Sequence, residues 1–465
     1  MIKVFKEVYS LDKACYKKGL NEFILMENAA RAMYEEIKKH NIKSVCIVAG
    51  AGNNGADGIT LARMLLREVE VKLFLPMGVK SDMAQFQLEV YKNYGGKYEE
   101  FQPSKESISK QYDCYVDAIF GSGLKRDLDS KINNIIKMLN KRKGLKIACD
   151  IPTGLDDNGN KRGEVFKADV TITMGAIKLA LLSDTAKDYV GVIKQANLGV
   201  SFDNYANKTN YYLLNRDDLI LPIRNKSNAH KGSFGHVGVL VGQKSGAGII
   251  SALASLNFGA GLVTTITREN IQIPYELMQS DIVDDRFNVL VLGMGLGNFF
   301  DDEIEKIVKM DIVKVIDADM FYKKEILFAL DKASVLTPHP KEFSSLLKLT
   351  GIGEYSVDDI QKNRFELALK FSQKYPKVVL LLKGANTIIA YKNQIYINPL
   401  GSVALAKGGS GDVLSGMIGA LLANGYHILK ATISASIAHS LAGDIQPNYN
   451  LTPIKLIDNL SNLKS

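Results

Sequence analysis

Short β-branched apolar runs alternate with longer amphipathic segments along almost the whole chain. In the first part the runs are SVCIVAG, EVKLFLP, YDCYVDAIFG, LKIACDIP, ADVTITMG and GVIKQANLG. Most are continuous rather than alternating, as expected of parallel strands covered by helices on both faces. Between them, Gly58–Arg67 and Ser81–Asn93 carry helical spacing. This order predicts βαβ units in a doubly wound sheet. The pattern pauses over GVSFDNYANKTNYYLLNRDDLILPIRNKSNAHKGS, which is polar and fits neither period. Beyond it the alternation restarts with HVGVLVG, GLVTTITR, NVLVLGMG, VKVIDAD, ASVLTPHP, VVLLLKG, NTIIAYKN and QIYINP. The expected fold class is α/β with two doubly wound domains, 1–208 and 209–465, divided close to Thr209.

Bulk properties narrow the picture only a little. A chain of 465 residues exceeds one ordinary core, in keeping with two domains. The net charge of +8 is spread along the chain, and no compact Lys/Arg block interleaved with aromatics signals a nucleic-acid surface. Cys15, Cys46, Cys114 and Cys149 form no CxxC pair, so neither a zinc site nor a redox dithiol is indicated. No apolar run approaches the ~20 residues of a membrane span. The first residues also lack a signal-peptide core. A cytoplasmic protein without membrane or nucleic-acid partners is expected.

Chemistry concentrates in two glycine-rich places. In KSVCIVAGAGNNGADGITLARML, Gly50, Gly52 and Gly55 satisfy G-x-G-x-x-G between a strand and a helix. That pattern suits a phosphate at a helix N-terminus, or a tight turn with no ligand. The acid that a dinucleotide fingerprint wants after the next strand is missing from LFLPMGVK, which speaks against a conventionally bound NAD. Asn53, Asn54 and Asp57 crowd the turn, and Asp117 and Asp150 end two further strands. In an open parallel sheet such ends converge on one crevice. Oxygens of Asn54, Asp117 and Thr153 would suit a hard cation. Gly121 to Asp127 (Gly121, Ser122, Gly123, Leu124, Lys125, Arg126, Asp127) offers amides and two cations to a phosphate. Asp150 remains free for proton transfer.

The segments NNGADG, DAIFGSGLKRDL and DIPTGLD, in that order over roughly residues 1–205, resemble the epimerase domain of the bifunctional NAD(P)H-hydrate repair enzymes. Ala56 stands where the family has glycine, and Thr153 where it often has serine. The resemblance implies a Rossmann-like domain that interconverts the two epimers of hydrated NADH or NADPH. It places the hydrate on Asn53, Asn54, Gly55, Ala56 and Asp57, on Gly121 to Asp127 and on Asp150. Potassium would sit on Asn54, Asp117 and Thr153.

The second place is VALAKGGSGDVLSGMIGALLANG, a glycine loop that opens a helix. Its amides would hold an anion, helped by the helix dipole, with Asp412 set to take a proton from an attacking hydroxyl. Phosphoryl transfer needs little else from a protein. No G-x-x-x-x-G-K-[ST] is present, so this is not a P-loop. A kinase that keeps its product phosphate fits this loop equally well, with a sugar or vitamin precursor as substrate and the first domain as a non-catalytic binding module.

Together with HKG, GAGLVT, GMGLG, TPHPKEF and KGANT, the GGSGD loop resembles the dehydratase domain of the same repair family, from Tyr211 onward. Met294 and Ser410 depart from the usual GPGLG and GGTGD. The resemblance implies a ribokinase-like domain with the hydrate on Ala247, Gly295, His339 and Asp412. It puts the adenine nucleotide on Lys383, Gly384, Ala385, Asn386, Thr387 and Gly411. Asp412 and Asp150 become the catalytic carboxylates. Mg2+ is expected with the nucleotide phosphates, and ADP as co-substrate, because the fused layout resembles the bacterial arrangement. The implied activity phosphorylates the misplaced hydroxyl of the S epimer and eliminates it, giving NAD(P)H, AMP and phosphate. A homo-oligomer is compatible with the family, though no residue pattern specifies one.

Overall fold

A computed structural model describes residues 1–100, 110–206, 208–225, 227–298, 300–445 and 447–464. The chain divides into two compact units, Lys3–Thr209 and Asn210–Ser465, with Met1–Ile2 counted in the second.

The first unit contains strands β1 (Ile2–Phe5), β2 (Ser44–Ala49), β3 (Glu70–Phe74), β4 (Tyr98–Glu99), β5 (Cys114–Ala118), β6 (Leu145–Cys149), β7 (Val170–Met174), β8 (Ile177–Lys178) and β9 (Val192–Ala196). Its main sheet runs β4-β3-β2-β5-β6-β7-β9. All pairings in it are parallel. After β2 the chain builds outward through β3, then crosses to the far side of β2 for β5. That reversal opens a crevice beyond the carboxyl ends of β2 and β5, where Gly50 and Ile119 begin their loops. The continuous apolar character of β5 has its cause here, since every residue of CYVDA is buried. β1 and β8 pair separately, Val4 against Ile177.

Helix boundaries shift from the sequence expectation for identifiable reasons. The helix expected at Gly58–Arg67 spans Asn53–Leu65. It starts directly after the glycine turn and stops before Arg67, whose φ is +65°. The helix expected from Ser81 spans Asp82–Asn93, because the Ser81 side chain accepts from Ala84 N and serves as the cap.

In the second unit the strands are β10 (Tyr211–Leu213), β11 (His236–Leu240), β12 (Leu262–Ile266), β13 (Met278–Ser280), β14 (Val289–Leu292), β15 (Val313–Ile316), β16 (Ser334–Leu336), β17 (Val378–Leu382), β18 (Thr387–Tyr391) and β19 (Gln394–Asn398). The order is β13-β12-β11-β14-β15-β16-β17-β18-β19-β10. A second reversal lies between β11 and β14, whereas β17, β18 and β19 form an antiparallel meander. β10 was not visible in the polar stretch; it is parallel to β19, with Tyr211 opposite Ile395. Helix Ser410–Ala423 packs on helix Ser245–Asn257, where Ser255 Oγ donates to Gly416 O at 2.9 Å. A side-chain carbon on Gly416 would lie 2.1 Å from Ser251 O of that helix, whereas one on Gly419 would lie 2.6 Å from Val291 Cγ2 of β14, so the first glycine serves the helix pair and the second the helix–sheet contact.

Candidate active sites

At the β2/β5 reversal of the first unit lies a cavity of about 490 Å³. Asn53, Asn54, Asp57, Gly121, Arg126 and Asp150 are among its walls. Ser122 and Gly123 line it too. Gly55, Ala56, Leu124, Lys125 and Asp127 are not among its walls. A side-chain carbon on Gly55 would lie 1.8 Å from Gly50 O, so this glycine shapes the turn. Ala56 and Leu124 are buried in the core. Lys125 is exposed, and Asp127 pairs outward with Arg162 at 3.9 Å.

Asp150 stands at the end of β6 with φ +70°, a left-handed conformation that Asp tolerates better than most residues. The turn presents its carboxylate to a buried cation. Asp150 Oδ1 accepts from Lys178 Nζ at 2.5 Å and from Met174 N at 3.1 Å. Lys178 is 1 % exposed, and its ammonium also reaches Thr173 Oγ1 and Met174 O, each at 3.1 Å. Asp57 faces the same cavity, where burial and the charges of Asp150 and Asp12 push its carboxyl well up. Asp12, which accepts from Tyr205 at 2.7 Å, is also raised, chiefly by burial. A carboxylate matched by an ammonium, beside a second carboxyl whose burial favours the neutral form, is an arrangement suited to acid/base work.

Asp117 and Thr153 lie behind the cavity wall, both 0 % exposed. Thr153 donates twice to Asp117, from Oγ1 to Oδ1 and from N to Oδ2, each at 2.7 Å. Burial nevertheless raises the Asp117 carboxyl to about 6, its hydrogen bonds only partly offsetting the effect. Asn54 Nδ2 is buried without a partner. A buried carboxylate with hydrogen bonds but no ammonium, with an unpartnered buried amide in the same unit, is oxygen-donor chemistry of the kind a hard cation takes.

In the second unit the end of β14 approaches the end of β15 closely. A side-chain carbon on Gly293, whose φ is +114°, would lie 1.8 Å from Asp317 O. Gly295 comes near Ala247, since a carbon added to it would sit 3.4 Å from Ala247 Cβ. These two predicted contact residues therefore converge.

Lys383 ends the β17 side of the β17–β18 turn, on which Gly384 and Ala385 are exposed and Asn386 is buried; Thr387 opens β18. Its ammonium donates to Asp317 Oδ1 at 2.8 Å. A carbon added to Gly411 would lie 3.3 Å from that ammonium, so Lys383 overlooks the mouth of helix Ser410–Ala423. Burial pulls the Lys383 ammonium down, but the Asp317 and Glu342 carboxylates hold it above its usual value. Asp412, in the first helical turn, is raised to about 6 by burial and by Asp317, with Lys383 opposing.

His339 caps helix Pro340–Leu349, its Nδ1 accepting from Lys341 N at 3.1 Å and Glu342 N at 3.3 Å. Burial and Lys383 lower its pKa, which favours the neutral ring. Burial lifts Glu342 to about 7. Sequence reasoning named neither Asp317, Glu342, Asp12 nor Lys178 as site residues. For Asp317 a signal existed: it is an acid at a parallel strand end, like Asp117 and Asp150.

A family model described as NAD(P)H-hydrate dehydratase matches residues 237–463, and one described as YjeF-related protein N-terminus matches residues 22–180. The bifunctional NAD(P)H-hydrate repair enzyme Nnr of Helicobacter pylori is 45% identical over 473 residues, covering 100% of both chains. The protein of that name from Dictyoglomus turgidum is 32% identical, covering 92% of this chain and 90% of its own. The crystal structure of ADP/ATP-dependent NAD(P)H-hydrate dehydratase from Bacillus subtilis, co-crystallized with ATP/Mg2+, is 26% identical. It covers 51% of this chain and 92% of its own, with a TM-score of 0.44. With family models matched in both α/β units and full-length identity of this order, the chain belongs to the family of bifunctional NAD(P)H-hydrate repair enzymes.

Proposed function

We propose that the unit 1–208 epimerises hydrated NADH and NADPH, and that the unit 209–465 dehydrates the S epimer at the expense of ADP. The observation that carries the reading is the raised carboxyl of Asp412 at a helix mouth beside an anchored lysine. Asp412 takes the proton from the ring hydroxyl, whose oxygen attacks the terminal phosphorus of ADP while the bond to AMP breaks. The ring C–O bond then breaks, phosphate departs with that oxygen, and a neighbouring ring carbon gives its proton to water, so the ring double bond is restored. Ala247, Gly295 and His339 serve the hydrate; Lys383 to Thr387 and Gly411 serve the nucleotide.

In the first unit the ring nitrogen can expel the hydroxyl or open the ring, with Asp150 handling the proton. The residues of Asn53 to Asp57 and Gly121 to Asp127 that line the cavity hold the hydrate. Potassium fits Asn54, Asp117 and Thr153, where it would balance the Asp117 charge and fix the two strand-end loops. Mg2+ is different. Among the described residues no group of three His, Cys, Asp or Glu side chains could hold a metal. It would arrive with the nucleotide phosphates. Free, buried Cys15, Cys46, Cys114 and Cys149 suit the reducing cytoplasm, and among the described residues no helix is long and apolar enough to cross a membrane. The partners are then small molecules.

The test mixes purified full chain with racemic hydrated NADH and ADP and follows the return of dihydronicotinamide absorbance. Complete recovery supports both activities, and a plateau at half supports dehydration alone. Asp412→Asn should lower the dehydration rate ~10²–10⁴-fold while epimerisation persists. A stable phosphate ester as final product would instead mark a kinase.

A further inference from the structure

Lys383 is held at more points than a lysine that merely meets a flexible ligand requires. Its backbone N donates to Pro338 O at 2.9 Å. Its carbonyl accepts from Arg364 Nη2 at 3.2 Å, and Arg364 is itself 1 % exposed. At the far end, the ammonium is bound to Asp317, which is 2 % exposed. Asp317 also accepts from Ala318 N and, through Oδ2, from Ser415 Oγ, each at 2.9 Å. Ser415 belongs to helix Ser410–Ala423. One buried carboxylate therefore ties the end of β15, the lysine from the end of β17 and the phosphate-facing helix together. Ala318 accepts a left-handed φ of +49° directly after it, an unfavourable conformation for alanine, kept where the carboxylate is aimed.

From this we propose that Asp317 is a positioning residue that presets the Lys383 ammonium at the mouth of helix Ser410–Ala423, where lysine and helix amides together seat the phosphoryl group in transit. A contribution to stability alone explains the arrangement less well, because buried ion pairs add little over apolar residues of like volume. Presetting removes the rotamer freedom of a long side chain before the ligand arrives, and it aims charge at the place where charge develops. It also divides the nucleotide differently from the sequence reading. Lys383 acts on the terminal phosphate, leaving the remaining Gly384 to Thr387 turn for the AMP portion.

The inference rests on the proposed ADP-dependent reaction, but its test does not need the hydrate. Titration of the full chain with ADP and with AMP compares wild type with Asp317→Asn, a replacement of the same shape without the charge. Loss of one charge-assisted contact predicts that ADP affinity falls about 10-fold or more while AMP affinity stays within about twofold. Ser415→Ala, which frees one arm of Asp317, should move the same ratio by about threefold without threatening the fold. In turnover, Asp317→Asn should lower dehydration kcat more than it raises nucleotide KM, with epimerisation by the same preparation unchanged. Equal loss of ADP and AMP binding, or no change in either, overturns the proposal. A collapse of the ADP-over-AMP preference in a protein that ignores hydrated coenzyme supports the phosphate seat and refutes the reaction instead.

Discussion

Replacing Lys178 by methionine would leave Asp150 buried against the β6 end with its ammonium gone and with Asp57 and Asp12 nearby. Lys178 is 1% exposed as a side chain and Asp150 11%, so water can replace little of what is lost. Breaking such a pair by removing one partner costs about 3–5 kcal/mol. Because Asp150 opens onto the cavity, the lower end, about 3 kcal/mol, is the expected figure. With a urea m-value of about 2–3 kcal/mol/M, that moves the midpoint of the first unit down by roughly 1 M. The chain has no tryptophan, but its thiols offer a selective probe. Cys15, Cys46, Cys114 and Cys149 are all buried, and all lie in Lys3–Thr209. Pulsed thiol labelling in urea therefore reads the unfolding of that unit and not of the other. The double variant Lys178→Met with Asp150→Asn should recover most of the loss, since the remaining amide has no charge to bury. A midpoint for Lys178→Met within about 0.3 M of wild type, or a double variant no better than the single one, would refute the reasoning.

Two further outcomes follow from the carboxyls at the strand and helix ends. If Asp412 works as a base, dehydration should fail as pH drops through about 6, where burial and Asp317 have placed its pKa. Lys383→Met removes the one group pulling that value down, so the acid limb of kcat should move to higher pH. For Asp117 the folded pKa of about 6 lies above the ordinary 3.8. The stability contributed by its protonated form is full below the ordinary value and is lost as pH rises through 6. Potassium should therefore stabilise the first unit more at pH 8 than at pH 5 by thiol labelling. Asp117→Asn should erase the difference between potassium and choline chloride in both stability and epimerisation rate.

The strands that build the reversals were legible because their apolar runs are continuous and bounded by glycine, as in SVCIVAG and NVLVLGMG. The acids at strand and helix ends were legible where they sat inside a recognisable motif, which covers Asp117, Asp150 and Asp412. Lys178 escaped because it sits in AIKLALL, where a lysine reads as an interruption of an apolar run; its partner is 28 residues away. Asp317 carried the strand-end signal but sat in no motif, and its bond to Lys383, 66 residues away, is encoded by no local spacing. Which residues of a loop face a ligand was also hidden. In GSGLKRD the glycines, Ser122 and Arg126 look into the cavity while Leu124 is core, and a period-free loop does not announce that division.

The contact between Gly293 and the backbone of Asp317 bears on how this lineage can change. Any side chain at 293 would be forced into the peptide that orients the lysine's counter-charge, so drift there is closed. One residue on, the side chain of Met294 is fully enclosed in the hydrophobic interior, away from that peptide. Apolar side chains at 294 therefore answer to core packing rather than to the phosphate machinery. A saturation library across 293–297 should return apolar survivors of similar volume at 294 and almost none at 293.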